Sequence, residues 1–266
     1  MLAESIHSFA DCGNQILLWI GLRQSQRPAD AEHPLGYGKL SYFWSFIVAL
    51  LLFSAGGLFS IYEGWHKLTD PEPLNQPWVA LLVLGVAVLL EAASTYGCLR
   101  EIARLRGSKS LRTWIRTTRN SELIVVLGED IAALIGLALA FGFVSLAALT
   151  GDVRYDAIGS IAIGVVLISM SVFIGLRMKS LIVGRSAEAD LVAALRSEIE
   201  GDPAIADLLN VITFQLGPQV MLAAKVRLHP GLTAVQGIER INRLERQIKA
   251  RFPEVAWSFF EPDIAD

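Results

Sequence analysis

Charge is what this chain is short of. Only 18% of its 266 residues are Asp, Glu, Lys or Arg, against about 25% in a soluble domain, while 53% are hydrophobic and the mean hydropathy is +0.48. That excludes a wholly soluble globule. Cysteine is also scarce: Cys12 and Cys98 fall in two different apolar stretches, so neither a disulfide framework nor a Cys-rich zinc site is available. A basic n-region and a small-residue cleavage site are missing from the N-terminus, so no secretory signal is expected. Low-complexity linkers and internal repeats are absent as well.

What is present is long apolar sequence. A membrane span needs roughly 20 mainly apolar residues, and the stretches 2–22, 43–62, 78–99, 122–149 and 157–176 qualify. Basic residues gather in alternate connections: Arg23, Arg27 and Lys39, then Arg100, Arg104, Arg106, Lys109, Arg112, Arg116 and Arg119, then Arg177, Lys179 and Arg185. The positive-inside rule puts those connections and the C-terminal segment in the cytoplasm. The 100–119 run reads as a topology signal and not a nucleic-acid patch, because it is short and flanked by two spans. Five spans with a cytoplasmic C-terminus would start the first span outside, so one further helix upstream of Met1 is expected.

From about Ser186 the composition turns mixed. Leu191, Leu195 and Ile199 repeat at helical spacing over 187–200; runs 209–216 and 220–228 alternate like strands around Gly217-Pro218; Ile238, Ile241, Leu244 and Ile248 mark a second helix over 234–251; and 255–260 closes as a strand. The expectation is an all-α polytopic membrane bundle over 1–182 and a small cytoplasmic α+β domain over 183–266.

Polar groups inside the spans point to chemistry, because ionisable side chains at membrane depth are costly and mark ion or substrate paths. On a helix turning 100° per residue, His7, Asp11 and Asn14 share one face. A distant span holds Glu129 and Asp130. Asp130 is the better partner for His7 and Asp11, with Glu129 rotated away and left as a ligand, a proton carrier or a partner of another helix. Imidazole and carboxylate together suit zinc, and manganese, iron and cobalt accept similar ligands. A lone His or Asp in a span would serve as well for a helix–helix hydrogen bond, but four ionisable groups in two spans favour an ion site. Glu91, alone in its span, is either part of a proton route or paired with a neighbouring helix.

These residues carry a resemblance. The run from Leu2 to Gln15, then Arg27-Pro28, then His33-Pro34-Leu35-Gly36-Tyr37-Gly38-Lys39, resembles the second transmembrane helix and following loop of cation diffusion facilitators. Gly128-Glu129-Asp130-Ile131-Ala132-Ala133 looks like the fifth helix of the branch related to zinc transporter 9-like proteins. The resemblance implies a proton-coupled exporter of divalent cations, zinc above all, with metal held between those two helices, here by His7, Asp11, Asp130, Glu129 and Asn14. It also implies six helices, a ferredoxin-like tail, homodimerisation through that tail and a multi-pass place in the cell (inner) membrane. The cargoes expected are the cation and the proton, with no permanently bound cofactor and no nucleic-acid partner expected.

Three departures stand out. Val126 occupies the position four before Asp130, where many members carry a second His. The loop site some members build from Asp and two His survives as Asp30 and His33, with Tyr37 at the third place, and His33 would equally cap the turn at Pro34. The tail lacks the His cluster that some members use: His229 precedes Pro230 in an expected turn, and Lys225 and Trp257 occupy strand regions where other members place ligands, which leaves a metal-sensing tail unsupported. Two rival readings remain. One is an intramembrane aspartyl hydrolase with Asp11 and Asp130 sharing a proton, although no Gly-x-Gly-Asp motif is present. The other is a non-transporting, truncated membrane subunit.

Overall fold

The computed structural model describes residues 2–70 and 77–265, apart from the side chains of 2–12 and of Pro77. Apolar sequence in a bilayer must satisfy its backbone internally, so each apolar stretch coils into a helix. These are α1 (Leu2–Ser25), α2 (Leu40–Leu51), which runs through a π-helical stretch Leu52–Leu58 into α3 (Phe59–Thr69), α4 (Pro77–Leu105), the short α5 (Leu111–Thr117), α6 (Ser121–Thr150) and α7 (Arg154–Val183). Among the described residues, Leu40–Thr69, Trp78–Leu105, Ser121–Thr150 and Arg154–Val183 are long and apolar enough to cross a membrane. α1, at 24 residues, also has the length. The helices outrun the apolar stretches read from sequence: Leu40–Thr69 has 30 residues, against 43–62 expected. Thirty residues rise about 45 Å, more than the hydrocarbon core of about 30 Å, so the ends continue through polar residues beyond the apolar part.

Two compact units divide the chain: Met1–Gly21, Tyr42–Ile115 and Ser121–Lys179 form one, and Leu22–Ser41, Arg116–Asn120 and Ser180–Asp266 the other. In the first, the span Leu40–Thr69 packs backbone to backbone on α7. A Cβ on Gly64 would stand 2.7 Å from the Ala157 carbonyl oxygen, and one on Gly164 would stand 2.7 Å from that of Gly57. Small residues permit this approach, which lipid-embedded helices use in place of a hydrophobic drive. Lys67 fastens one end of the pair, with its ammonium 3.0 Å from Asp156 and 3.1 Å from Glu63. Outward-facing Leu89, Leu90, Leu149 and Leu176 present the apolar surface a bilayer solvates.

The second unit holds the soluble fold: α8 (Ala189–Glu200), β1 (Ile205–Leu216), β2 (Gln219–Leu228), α9 (Ala234–Arg251) and β3 (Val255–Pro262). The sheet order is β1-β2-β3, with β1 antiparallel and β3 parallel to β2. A parallel pair requires a crossover, and α9 supplies it. The α-β-β-α-β order is the ferredoxin-like arrangement short of its leading strand among the described residues. Leu195, Ile199, Leu222, Leu244 and Ile248 make the core between the helices and one sheet face. Thr233 opens α9 with a capping box, its hydroxyl accepting from the Gln236 amide. β1 starts four residues before the expected 209. Irregular register between Ile205 and Asp207, and again between Leu208 and Asn210, breaks the alternation by which a strand is read.

Candidate metal centre

The centre is built on α1 and α6. Asn14, 2% exposed, projects from α1, and its Nδ2 donates to Glu129 Oε1 on α6 at 2.8 Å. Glu129 and the adjacent Asp130 are both buried, at 9% and 6% exposure. Neighbours 100° apart on a helix can both be buried only where the helix is covered on more than one side. That holds for α6: α1 reaches it at Glu129, and α4 packs along it. α4 contributes buried Thr95 and Cys98, and the Thr95 hydroxyl donates to the carbonyl of half-buried Glu91.

Of the roles the sequence leaves open for Glu129, the structure shows the partner of another helix: Glu129 is the carboxylate hydrogen-bonded to Asn14 of α1. Spacing alone could not say which of two consecutive acids meets a given neighbour. The side chains of His7 and Asp11 lie outside the described residues; their helix is the one that carries Asn14. Asn14 Oδ1 is buried and accepts no hydrogen bond among the described residues. An uncompensated buried oxygen beside two carboxylates is an environment that favours a cation or a donated proton. The described residues contain no cluster of three or more His, Cys, Asp or Glu side chains placed to hold a metal.

The Asp30–His33 pair of the loop is brought together, but as a clasp. Asp30 Oδ1 accepts from the His33 amide at 2.7 Å and the Glu32 amide at 3.0 Å, and Oδ2 accepts from the Tyr37 hydroxyl at 2.7 Å. His33 Nδ1 lies 3.5 Å from Asp30 Oδ1, and the His33 and Tyr37 rings are 4.2 Å apart. The Tyr37 hydroxyl and the His33 amide hold the Asp30 carboxyl below its ordinary value, and the Asp30 carboxylate in turn raises Tyr37. Both carboxylate oxygens of Asp30 are therefore already engaged within the loop, with Tyr37 holding one of them.

A bundle of membrane-length helices with two adjacent buried carboxylates, one of them hydrogen-bonded to a second helix, followed by a small α+β domain, fits an ion-handling membrane protein of multiple spans. Residues 1–181 match the cation efflux transmembrane domain, so the chain belongs to the cation efflux family, in the branch of the zinc transporter 9-like cation diffusion facilitators. It is 33% identical over 219 residues to the mitochondrial proton-coupled zinc antiporter SLC30A9 of Xenopus laevis, covering 82% of this chain and 39% of that protein. It is 30% identical over 220 residues to metal tolerance protein C4 of Arabidopsis thaliana, covering 82% and 48%. It is 24% identical over 253 residues to the cation-efflux pump FieF of Cronobacter sakazakii, covering 95% and 79%. The chain thus spans less than half the length of the first two of these relatives.

Proposed function

We propose that this protein is a proton-coupled secondary transporter that exports divalent metal cations, zinc first, with iron, manganese and cobalt also accepted. The observation that carries this reading is the buried Asn14–Glu129 hydrogen bond between α1 and α6, with Asp130 buried next to it. His7 and Asp11, which precede Asn14 by seven and three residues on α1, complete the donor set with Glu129 and Asp130. Such ligands bind a cation only when deprotonated, so protons and metal compete for them. Imidazole exchanges its proton near neutral pH, which makes His7 a fitting exchanger. A cation arriving from the cytoplasm displaces protons, and protons arriving from the other side displace the cation.

The names of the relatives support this assignment, since they specify proton-coupled zinc antiport, metal tolerance and cation efflux. The family sets aside the intramembrane hydrolase. The protein acts as a homodimer through its C-terminal domain, in the cell (inner) membrane, with that domain in the cytoplasm. Support for pairing comes from the helix-free face of the sheet, where Ile212, Ala223 and Phe259 align across the three strands and both large side chains are more than half exposed. Transport into proteoliposomes tests the reading. Asp130→Ala and Asp11→Ala are expected to stop zinc, manganese and iron alike, and transport at the parent rate by both variants would reject the site.

A further inference from the structure

We propose that Gly38 and Gly217 form a backbone joint that couples the soluble domain to the loop between α1 and α2, and that this joint governs the turnover of the carrier. The inference rests on the transport reading above. A Cβ on Gly38 would stand 2.1 Å from the Leu216 carbonyl oxygen and 2.7 Å from its carbon, and one on Gly217 would stand 2.5 Å from the Gly38 oxygen. Neither position admits a side chain. Gly217 also has φ +65°, which the β1–β2 turn requires and a side chain resists.

The contact is stiffened on both sides. Behind the turn, buried Gln215 donates Nε2 to the Gly217 and Gln219 carbonyls at 2.8 and 3.3 Å. On the loop side, the Ser41 hydroxyl donates to the Gly38 carbonyl at 3.1 Å. Lys39 adds a second attachment to β1, its ammonium lying 4.4 Å from the centre of the Phe214 ring, and it also donates to the carbonyl of Ile182 at the end of α7 at 3.1 Å. The segment Leu22–Ser41 accordingly belongs to the same compact unit as the soluble fold.

Backbone packed on backbone has no rotamers through which to yield. A displacement of the β1–β2 turn is therefore delivered to residues 36–41 with little slack. The helices on either side of that loop are α1, which carries Asn14, and α2. Gly38 and Gly217 are positioning residues: they touch no cargo and act through the helices their loop connects.

The experiment compares the full chain with two variants in proteoliposomes. Gly38→Ala is expected to lower the maximal zinc transport rate on the order of tenfold, the scale of coupling lost when a transmitting element is broken. Its KM and its calorimetric zinc affinity stay within about twofold of the parent, because the binding groups are untouched. Gly36→Asn keeps the parent rate: asparagine tolerates the φ of +70° there, and a Cβ would meet nothing closer than 3.8 Å. Parent turnover in Gly38→Ala, or a matched loss of affinity and rate, overturns the proposal. Hydrogen exchange on the parent chain gives a test that needs neither the variant to fold nor the cargo to move. The amides of Gly36 and Leu40 are expected to be as protected as those of Gln219 and Val220, and free exchange in the loop beside a protected turn would overturn the joint. A parent chain that carries no zinc, manganese or iron would instead remove the transport reading and leave the exchange result standing.

Discussion

The Asn14–Glu129 hydrogen bond can be weighed directly. Asn14→Leu keeps the volume on α1 but removes the donor 2.8 Å from Glu129 Oε1, and Glu129→Leu removes the acceptor. A hydrogen bond to a charged group is worth about 1.5–3 kcal/mol net in soluble proteins. Interhelical polar contacts in bilayers measure lower, roughly 0.6–2 kcal/mol, because the unfolded state in the membrane finds other partners. With both groups at least nine-tenths buried, a coupling of about 1–2 kcal/mol is expected from the double-mutant cycle. Reversible unfolding of the purified protein in mixed micelles, with the parent, both single variants and the double, supplies the four free energies. Glu129→Gln adds a chemical check: its amide oxygen still accepts from Asn14, so it costs less than Glu129→Leu. Additivity of the two leucine variants within about 0.3 kcal/mol would mean that the bond does not join the helices, and the geometry of the centre would have to be redrawn.

Three further outcomes follow from other parts of the chain. Lys67→Met strands Glu63 and Asp156 in a one-third-exposed site and is expected to destabilise the bundle by about 1–2 kcal/mol, read by the same unfolding assay, with Lys67→Arg largely restoring it. The loop clasp holds while Asp30 is ionised and Tyr37 neutral. The depressed Asp30 makes its contribution above the ordinary carboxylate value of 3.8 and loses it as pH falls through the lowered one; the raised Tyr37 makes its contribution below the ordinary 10.0 and loses it as pH rises through the elevated one. Ultraviolet titration of the parent minus Tyr37→Phe should accordingly give a phenol midpoint above 10.0, and a midpoint at or below it would dissolve the clasp. In the soluble domain, Leu244→Ala empties a site 1% exposed and should cost about 2–5 kcal/mol by thermal unfolding.

Legibility in the sequence followed the range of the forces. The apolar runs and the order of the soluble elements are local patterns, and they located α1, the continuous span of α2 and α3, α4, α6 to α9 and all three strands; the short α5 lies inside the basic 100–119 connection, which offers no apolar run to read. Helix ends were not legible where polar residues such as Glu63 and Lys67 continue a helix past its apolar part, because Lys67 is held by Asp156 on α7 and itself holds Glu63 one turn earlier. The start of β1 was hidden by its own irregular register. At the centre, the residue types were readable from their rarity in apolar surroundings, yet the pairing of Glu129 with Asn14 spans 115 positions and depends on how α6 is covered. Gly38 stood in a recognisable motif, but its reason is the turn at Gly217, which no spacing within the loop discloses.

The central claim is that α1 and α6 together hold one divalent cation, and anomalous diffraction from crystals of the full-length protein grown with zinc tests it most directly. The account predicts a peak at the zinc edge between the two helices, within about 2.0–2.2 Å of ligand atoms from Asp11, Asp130 and His7, and lost in Asp130→Ala. Zinc found only at the Asp30–His33 loop, or on the soluble domain with none between α1 and α6, would contradict it.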